Sequence, residues 1–212
     1  MDALGLATGF FLGVRHCLEP DHLTAVAHFA SNTRRKRDGL RAGLLWGMGH
    51  GAAVLVVALA LLHLRGRLDG FEALAERAVG ATLIALSIWR LRALRRRPHV
   101  HAHEHAGGLV HAHTHRHDRS HRHVHAPTVT GFVHGAAGAA GLIALLTASG
   151  APVSIAEVAA AFAVGAMLAM GAAGWLAARL YRTAATAGWE RPAVLLTAAV
   201  GFVLGLAWIA GA

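Results

Sequence analysis

The sequence predicts an all-α, polytopic membrane protein with about six transmembrane helices, the first of them broken at Glu19-Pro20. Three observations carry that expectation. The 212 residues are 55% hydrophobic and only 15% charged, with a mean hydropathy of +0.48, a balance too oily for a soluble domain of this length. Apolar runs long enough to cross a bilayer core, about 20 residues each, recur along the chain. Arginines gather at the ends of those runs, which is how membrane topology is written. The 25 glycines suit closely packed membrane helices. A single cysteine, Cys17, excludes an intramolecular disulfide framework. The formal charge of +9 reads as topology, and no nucleic-acid partner is expected.

The expected spans are 3–30, 40–64, 72–94, 128–148, 154–180 and 192–211. Most reach the ~30 Å of a hydrocarbon core at 1.5 Å per residue. The first lacks a basic leader region and is expected to be retained as a span. Pro20 interrupts it, because proline has no N–H and clashes with the preceding turn. The fifth opens on "SIAE", where Ser154 and Glu157 fit a capping box, so Glu157 reads as a cap rather than a transport carboxylate. The chain divides into a three-helix half over 1–95, a histidine-rich segment over 96–127 and a second three-helix half over 128–212.

Positive charge alternates between the two sides. One side carries 16 Lys and Arg and the other three, Arg65, Arg67 and Arg77. The richer side is the expected cytoplasmic one, which puts both termini outside and the protein in the cell (inner) membrane. The histidine-rich segment then faces the cytoplasm. It holds His99, His101, His103, His105, His111, His113, His115, His117, His121, His123 and His125, eleven of the chain's 17 histidines. With almost no large apolar residues it is expected to be disordered until something binds it. Histidine at every second position reads as an accessory metal-binding tract.

Ionisable residues at bilayer depth are costly and mark function. "HCLEPDH" places His16, Asp21 and His22 in one span. On an unbroken helix His16 and His22 would lie about 120° apart, and the break at Pro20 lets them converge. A broken helix carrying ligands near mid-membrane is how transporters build ion sites. Two imidazoles and a carboxylate suit Ni²⁺, Co²⁺, Zn²⁺ or Cu²⁺ rather than Mg²⁺ or Ca²⁺. Cys17 is a further candidate ligand or a small hydrophobe. Glu19 is placed to hydrogen-bond a ligating imidazole, and Arg15 to pair with Glu19 or Asp2. Two more spans carry the frame Gly-x-x-His-Gly-Ala-Ala: "GMGHGAA" with His50 and "GFVHGAA" with His134. "GVRH" shares its core, so spans 1 and 4 fit the equivalent first helices of a 3+3 inverted repeat.

His-x4-Asp-His in an early span resembles the signature of the nickel/cobalt transporter superfamily. "HCLEPDHLTAV", "GMGHG" and "GFVHGAAG" are similar to its short, urease-accessory-like membrane branch, and the histidine-rich segment resembles that of the efflux members. The resemblance implies that His16, Asp21 and His22 recognise metal. Classical members are longer, and they have Asp-Ala where Glu19-Pro20 stands here.

The expected function is a permease or exporter of a divalent transition metal, Ni²⁺ or Co²⁺ first and Zn²⁺ or Cu²⁺ next. His16, Asp21, His22, His50 and His134 would form the site, without a prosthetic group and with an oligomer possible. No G-x4-G-K-[ST] motif is present. An enzyme is not expected, since H-E-x-x-H is missing. The alternatives are a membrane metal sensor or metallochaperone serving a partner and, behind it, a membrane metalloenzyme.

Overall fold

A computed structural model of the chain describes residues 3–33, 35–63, 70–95, 99–104, 110–115, 125–148 and 155–211. Among them run seven helices: α1 (Ala3–His16), α2 (Pro20–Ala30), α3 (Lys36–His63), α4 (Phe71–Arg95), α5 (Ala126–Ala148), α6 (Ile155–Thr186) and α7 (Glu190–Gly211). Three stretches within them, Lys36–Ala60, Ala156–Thr186 and Glu190–Gly211, are long and apolar enough to cross a membrane.

The expected first span is two helices. α1 has 14 residues and α2 has 11, about 21 Å and 17 Å at 1.5 Å per residue, so neither crosses a bilayer core alone. Pro20 opens α2, where its missing N–H costs nothing. Glu19 is extended at φ −64°, ψ 145°, as the residue before a proline prefers. The joint wastes few backbone groups. The His16 carbonyl accepts from the Glu19 N–H at 3.1 Å, and the Glu19 carbonyl from the Leu23 N–H at 3.1 Å.

Small residues set how the helices meet. Along α3, Gly39, Gly43, Gly47 and Gly51 lie on the backbone of α6 at Gly174, Met170, Met167 and Ala163. The numbers run in opposite senses, so the pair is antiparallel. Gly9 and Gly13 of α1 meet Val158 and Phe162 of α6, and Gly131 and Gly135 of α5 meet Trp46 and His50 of α3. Both of those pairs are parallel. Gly80 of α4 and Gly205 of α7 approach each other's carbonyls, again antiparallel. α2 sits among these helices, touching α3, α4, α5, α6 and α7. Eight of its residues are buried, from Asp21 through Ala30.

Two differences from the sequence expectations concern the connections. α6 continues to Thr186 and ends in a Schellman turn, with Trp189 N–H to Ala184 O at 2.7 Å and Gly188 N–H to Ala185 O at 3.2 Å. Gly188 takes φ +78°, which a side chain would oppose. Within the histidine-rich segment, expected to be disordered until something binds it, residues 99–104 and 110–115 have a regular backbone. They form an antiparallel pair, β1 (His99–Glu104) and β2 (Val110–His115), in the register His99 to His115, His101 to His113 and His103 to His111. Strict alternation of histidine with Val, Ala and Thr is a strand period, and it overrides the shortage of large apolar residues. His105, His117, His121 and His123 lie outside the described residues, as does Ser154 of the expected capping box.

Candidate metal centre

The joint between α1 and α2 determines the centre. His16 is the last residue of α1 and His22 the third of α2, and the break brings their ring centroids to 4.4 Å. α3 contributes His50, 5.2 Å from the His16 ring and 5.1 Å from the His22 ring. One nitrogen from each of His16, His22 and His50 can be chosen so that all lie within 4.8 Å of one another. α5 contributes His134, 5.7 Å from the His22 ring. His22, His50 and His134 are 3%, 0% and 1% exposed, while the His16 side chain is 19% exposed, so the cluster is closed except at His16.

Hydrogen bonding orients the rings. Asp21 Oδ1 accepts from His22 Nδ1 at 2.8 Å, and Glu19 Oε1 from His16 Nδ1 at 3.1 Å. The Thr130 carbonyl accepts from His134 Nδ1 at 2.9 Å. An ionised carboxylate or a carbonyl only accepts, so its partner assigns the proton to Nδ1 in each neutral ring. Nε2 is then a bare lone pair. Among the described residues, Nε2 of His16, His22 and His134 and both nitrogens of His50 are buried without a hydrogen-bond partner. A buried polar atom left unmet costs about 1–3 kcal/mol. Several of them gather at one place.

The walls are aromatic and thin. Trp46, one turn before His50, stacks on its ring at 5.0 Å and 17°, and Phe162 of α6 stacks on it at 6.2 Å and 25°. On α5 the wall is Gly138, where an added Cβ would stand 2.8 Å from His16 Nε2.

The structure thus gathers His16, His22 and His50 with His134 beside them. Asp21 and Glu19 lie on the Nδ1 side of two of the rings, and Glu19, Asp21 and His22 form a second, overlapping group of potential donors. Cys17 is buried with a free thiol, among the apolar residues of the core. Arg15 is exposed, and the Glu19 carboxylate expected to pair with it is bonded to His16. Trp46 and Gly138 were missed in the sequence. The spacing of Trp46 to His50, one helical turn, was the available signal.

These features define a membrane protein with a helical apolar core and an imidazole cluster at a helix break. The chain belongs to the NicO family: that family's model, described as "High-affinity nickel-transport protein", matches residues 3–210. The urease accessory protein UreH of Bacillus sp. (strain TB-90) is 29% identical over 151 residues, 70% of this chain and 64% of that protein. The chloroplast protein FOR GROWTH AND FERTILITY 2 of Arabidopsis thaliana is 35% identical over 94 residues, 43% of this chain and 25% of that one. A Methanocaldococcus jannaschii protein named for nickel/cobalt efflux is 29% identical over 109 residues, half of this chain and 49% of that one. The chain therefore covers less than two thirds of the length of each of these relatives. No solved structure matches it.

Proposed function

We propose that the protein is an integral membrane transporter of a divalent transition-metal cation, Ni²⁺ or Co²⁺, which binds among His16, His22 and His50 with His134 completing or gating the site. The observation that carries this reading is the convergence of buried, unpartnered imidazole nitrogens. Neutral imidazoles suit late first-row metals and disfavour Mg²⁺ and Ca²⁺. Metal–nitrogen bonds of about 2.0–2.1 Å put neighbouring ligand atoms about 3.4 Å apart in a tetrahedral shell, so the rings need only small movements to close on an ion. Asp21 and Glu19, on the Nδ1 atoms, orient the rings and raise their basicity, the carboxylate–histidine–metal arrangement.

Topology fits the same reading. Alternating spans make α1 parallel to α6, α3 parallel to α5, and α3 antiparallel to α6, as the glycine contacts have them. Those contacts also support a 3+3 inverted repeat. Gly13 lies on the Phe162 backbone and Gly131 on the Trp46 backbone, which pairs "GVRH" with "GFVH" and leaves His16 equivalent to His134. The helix break then lies at mid-membrane, with the histidine-rich segment collecting or buffering metal on the cytoplasmic side.

Radiolabelled Ni²⁺ uptake and efflux, in cells with and without the protein, tests the reading. Flux that follows the wild type and vanishes in His22→Ala supports it; equal flux in all three refutes it. The urease accessory relative favours a second reading, delivery of nickel to a partner without transport. That reading expects no flux in vesicles and metal transfer only when a partner is added.

A further inference from the structure

A second buried polar cluster lies outside the metal centre, between α2 and α4. Ser87 Oγ donates to the Leu83 carbonyl at 2.8 Å. Its single proton is spent, so it accepts from His28 Nε2 at 3.3 Å. One turn on, Arg90 Nε donates to Ser31 Oγ at 2.7 Å, an Arg90 terminal nitrogen to the Ser31 carbonyl at 2.7 Å, and the other to Asn32 Oδ1 at 3.3 Å. The two rungs, His28–Ser87 and Ser31–Arg90, have the same sequence offset and lie three residues apart on both helices, so α2 and α4 run parallel as one clasp. His28 is 0% exposed, Ser87 0%, Arg90 6% and Ser31 9%. A guanidinium there also meets the negative end of the α2 dipole and its last carbonyls.

Packing against α3, α5, α6 and α7 holds the body of α2, and the clasp pins its C-terminal end. A continuous helix would inherit its direction from α1, but the extended residue Glu19 cuts that link. The N-terminal turn of α2 carries Asp21 and His22, and its C-terminal end carries the clasp. Eleven residues of helix form a rigid lever about 17 Å long, so a tilt released at Ser31 displaces His22 relative to His16 and His50. Imidazole ligation tolerates only a few tenths of an ångström.

We infer that Arg90 is a positioning residue for the metal centre, holding His22 in place through the α2 lever. The inference rests on the proposed site, and the test separates the two. Full-length protein is titrated with Ni²⁺ against a metal-indicator dye in four forms: wild type, Arg90→Gln, His22→Ala and the double variant. His22→Ala is expected to remove the tight class of sites and leave the histidine-rich segment's binding. Arg90→Gln is expected to weaken the tight class about tenfold, the lower end of what an outer-shell partner contributes, and to add nothing in the His22→Ala background. With Co²⁺, the visible spectrum of wild type minus His22→Ala reports the centre alone, and the same difference taken in Arg90→Gln is expected to change in intensity. Ser31→Ala, which removes the acceptor of Arg90 Nε together with the Ser31 Oγ donation to the His28 carbonyl at 2.9 Å, is expected to act in the same direction by about threefold, and it stands in if Arg90→Gln does not fold. Arg90→Gln and Ser31→Ala binding like wild type, while His22→Ala loses the tight class, overturns the inference. So does an Arg90→Gln loss of equal size in the His22→Ala background. Unchanged tight binding in His22→Ala refutes the site itself.

Discussion

Asp21 and His22 are chain neighbours whose side chains are hydrogen-bonded, Oδ1 to Nδ1 at 2.8 Å, in a part of the molecule where both are nearly inaccessible. Adjacent residues on a helix project about 100° apart, and at the first turn of α2 the short aspartate reaches round to its neighbour's near nitrogen. The bond turns His22 Nε2 towards the rings of His16 and His50. In the proposed centre it makes the carboxylate a holder of the ligand.

Asp21→Asn tests that division of labour. The amide oxygen can still accept from Nδ1, but the charge that raises imidazole basicity is lost. Metal affinity at the membrane centre is expected to fall about 10- to 100-fold, with binding retained. His22→Ala is expected to abolish it. Isothermal titration of purified variants lacking residues 99–125 checks both, and equal losses in the two would return Asp21 to the role of direct ligand.

Gly138→Ala is a test by addition. Its new methyl would stand 2.8 Å from His16 Nε2, occupying space the ion needs while every imidazole remains. An affinity loss of at least about tenfold is expected, roughly 1.4 kcal/mol. The thermal midpoint of the metal-free protein separates a blocked site from a misfolded one. Wild-type affinity would mean that the ion approaches His16 from another side.

The break at Pro20 and the gathering of histidines around it were legible, because a proline within an apolar run and histidines in a repeated glycine frame are local signals. His50 and His134 came from that frame alone. The direction of each ring was not legible: spacing places Asp21 beside His22 but does not say which nitrogen it takes. Arg90 was counted with the positive charges that flank span 3, and its contact with Ser31, 59 residues away, has no local signature. Trp46 stacking on His50 looked like any aromatic in an apolar helix. In the histidine-rich segment, composition points to disorder and the alternation of histidine to metal binding, while the same alternation is also a strand period.

The histidine-rich segment is expected to tune capture rather than form the pathway. Deleting residues 99–125 should leave labelled-metal transport measurable, with apparent affinity or cytoplasmic release weakened several-fold. Complete loss of transport at normal membrane levels of protein would place part of the pathway in this segment.

Pro20→Ala tests the break without touching a ligand. Alanine restores the N–H and the helix propensity that proline denies, by about 3 kcal/mol, and so favours a continuous helix through Glu19. His16 and His22 would then rotate to about 120° apart. Loss of metal affinity with gain of helix stability is the expected outcome, read by titration and by thermal melting monitored at the helix signal. Unchanged affinity would mean that tertiary packing, not proline, imposes the joint.

Proton competition should follow from the same chemistry. A ligating imidazole must be neutral, and an unperturbed one titrates near pH ~6.5. Each ring that carries a proton must release it before it ligates, so apparent affinity falls as pH falls, by up to about tenfold per pH unit for each such ring. Metal loading should correspondingly release protons. In calorimetry this appears as a heat that scales with the ionisation enthalpy of the buffer and grows as pH falls. The release offers a coupling mechanism, because protons reaching the centre from one side of the membrane would expel the metal. Loop-deleted protein titrated with Ni²⁺ between pH 5.5 and 8 provides the measurement. An affinity that is flat across that range, with no buffer-dependent heat, would show that the rings stay neutral throughout and that protons do not drive release.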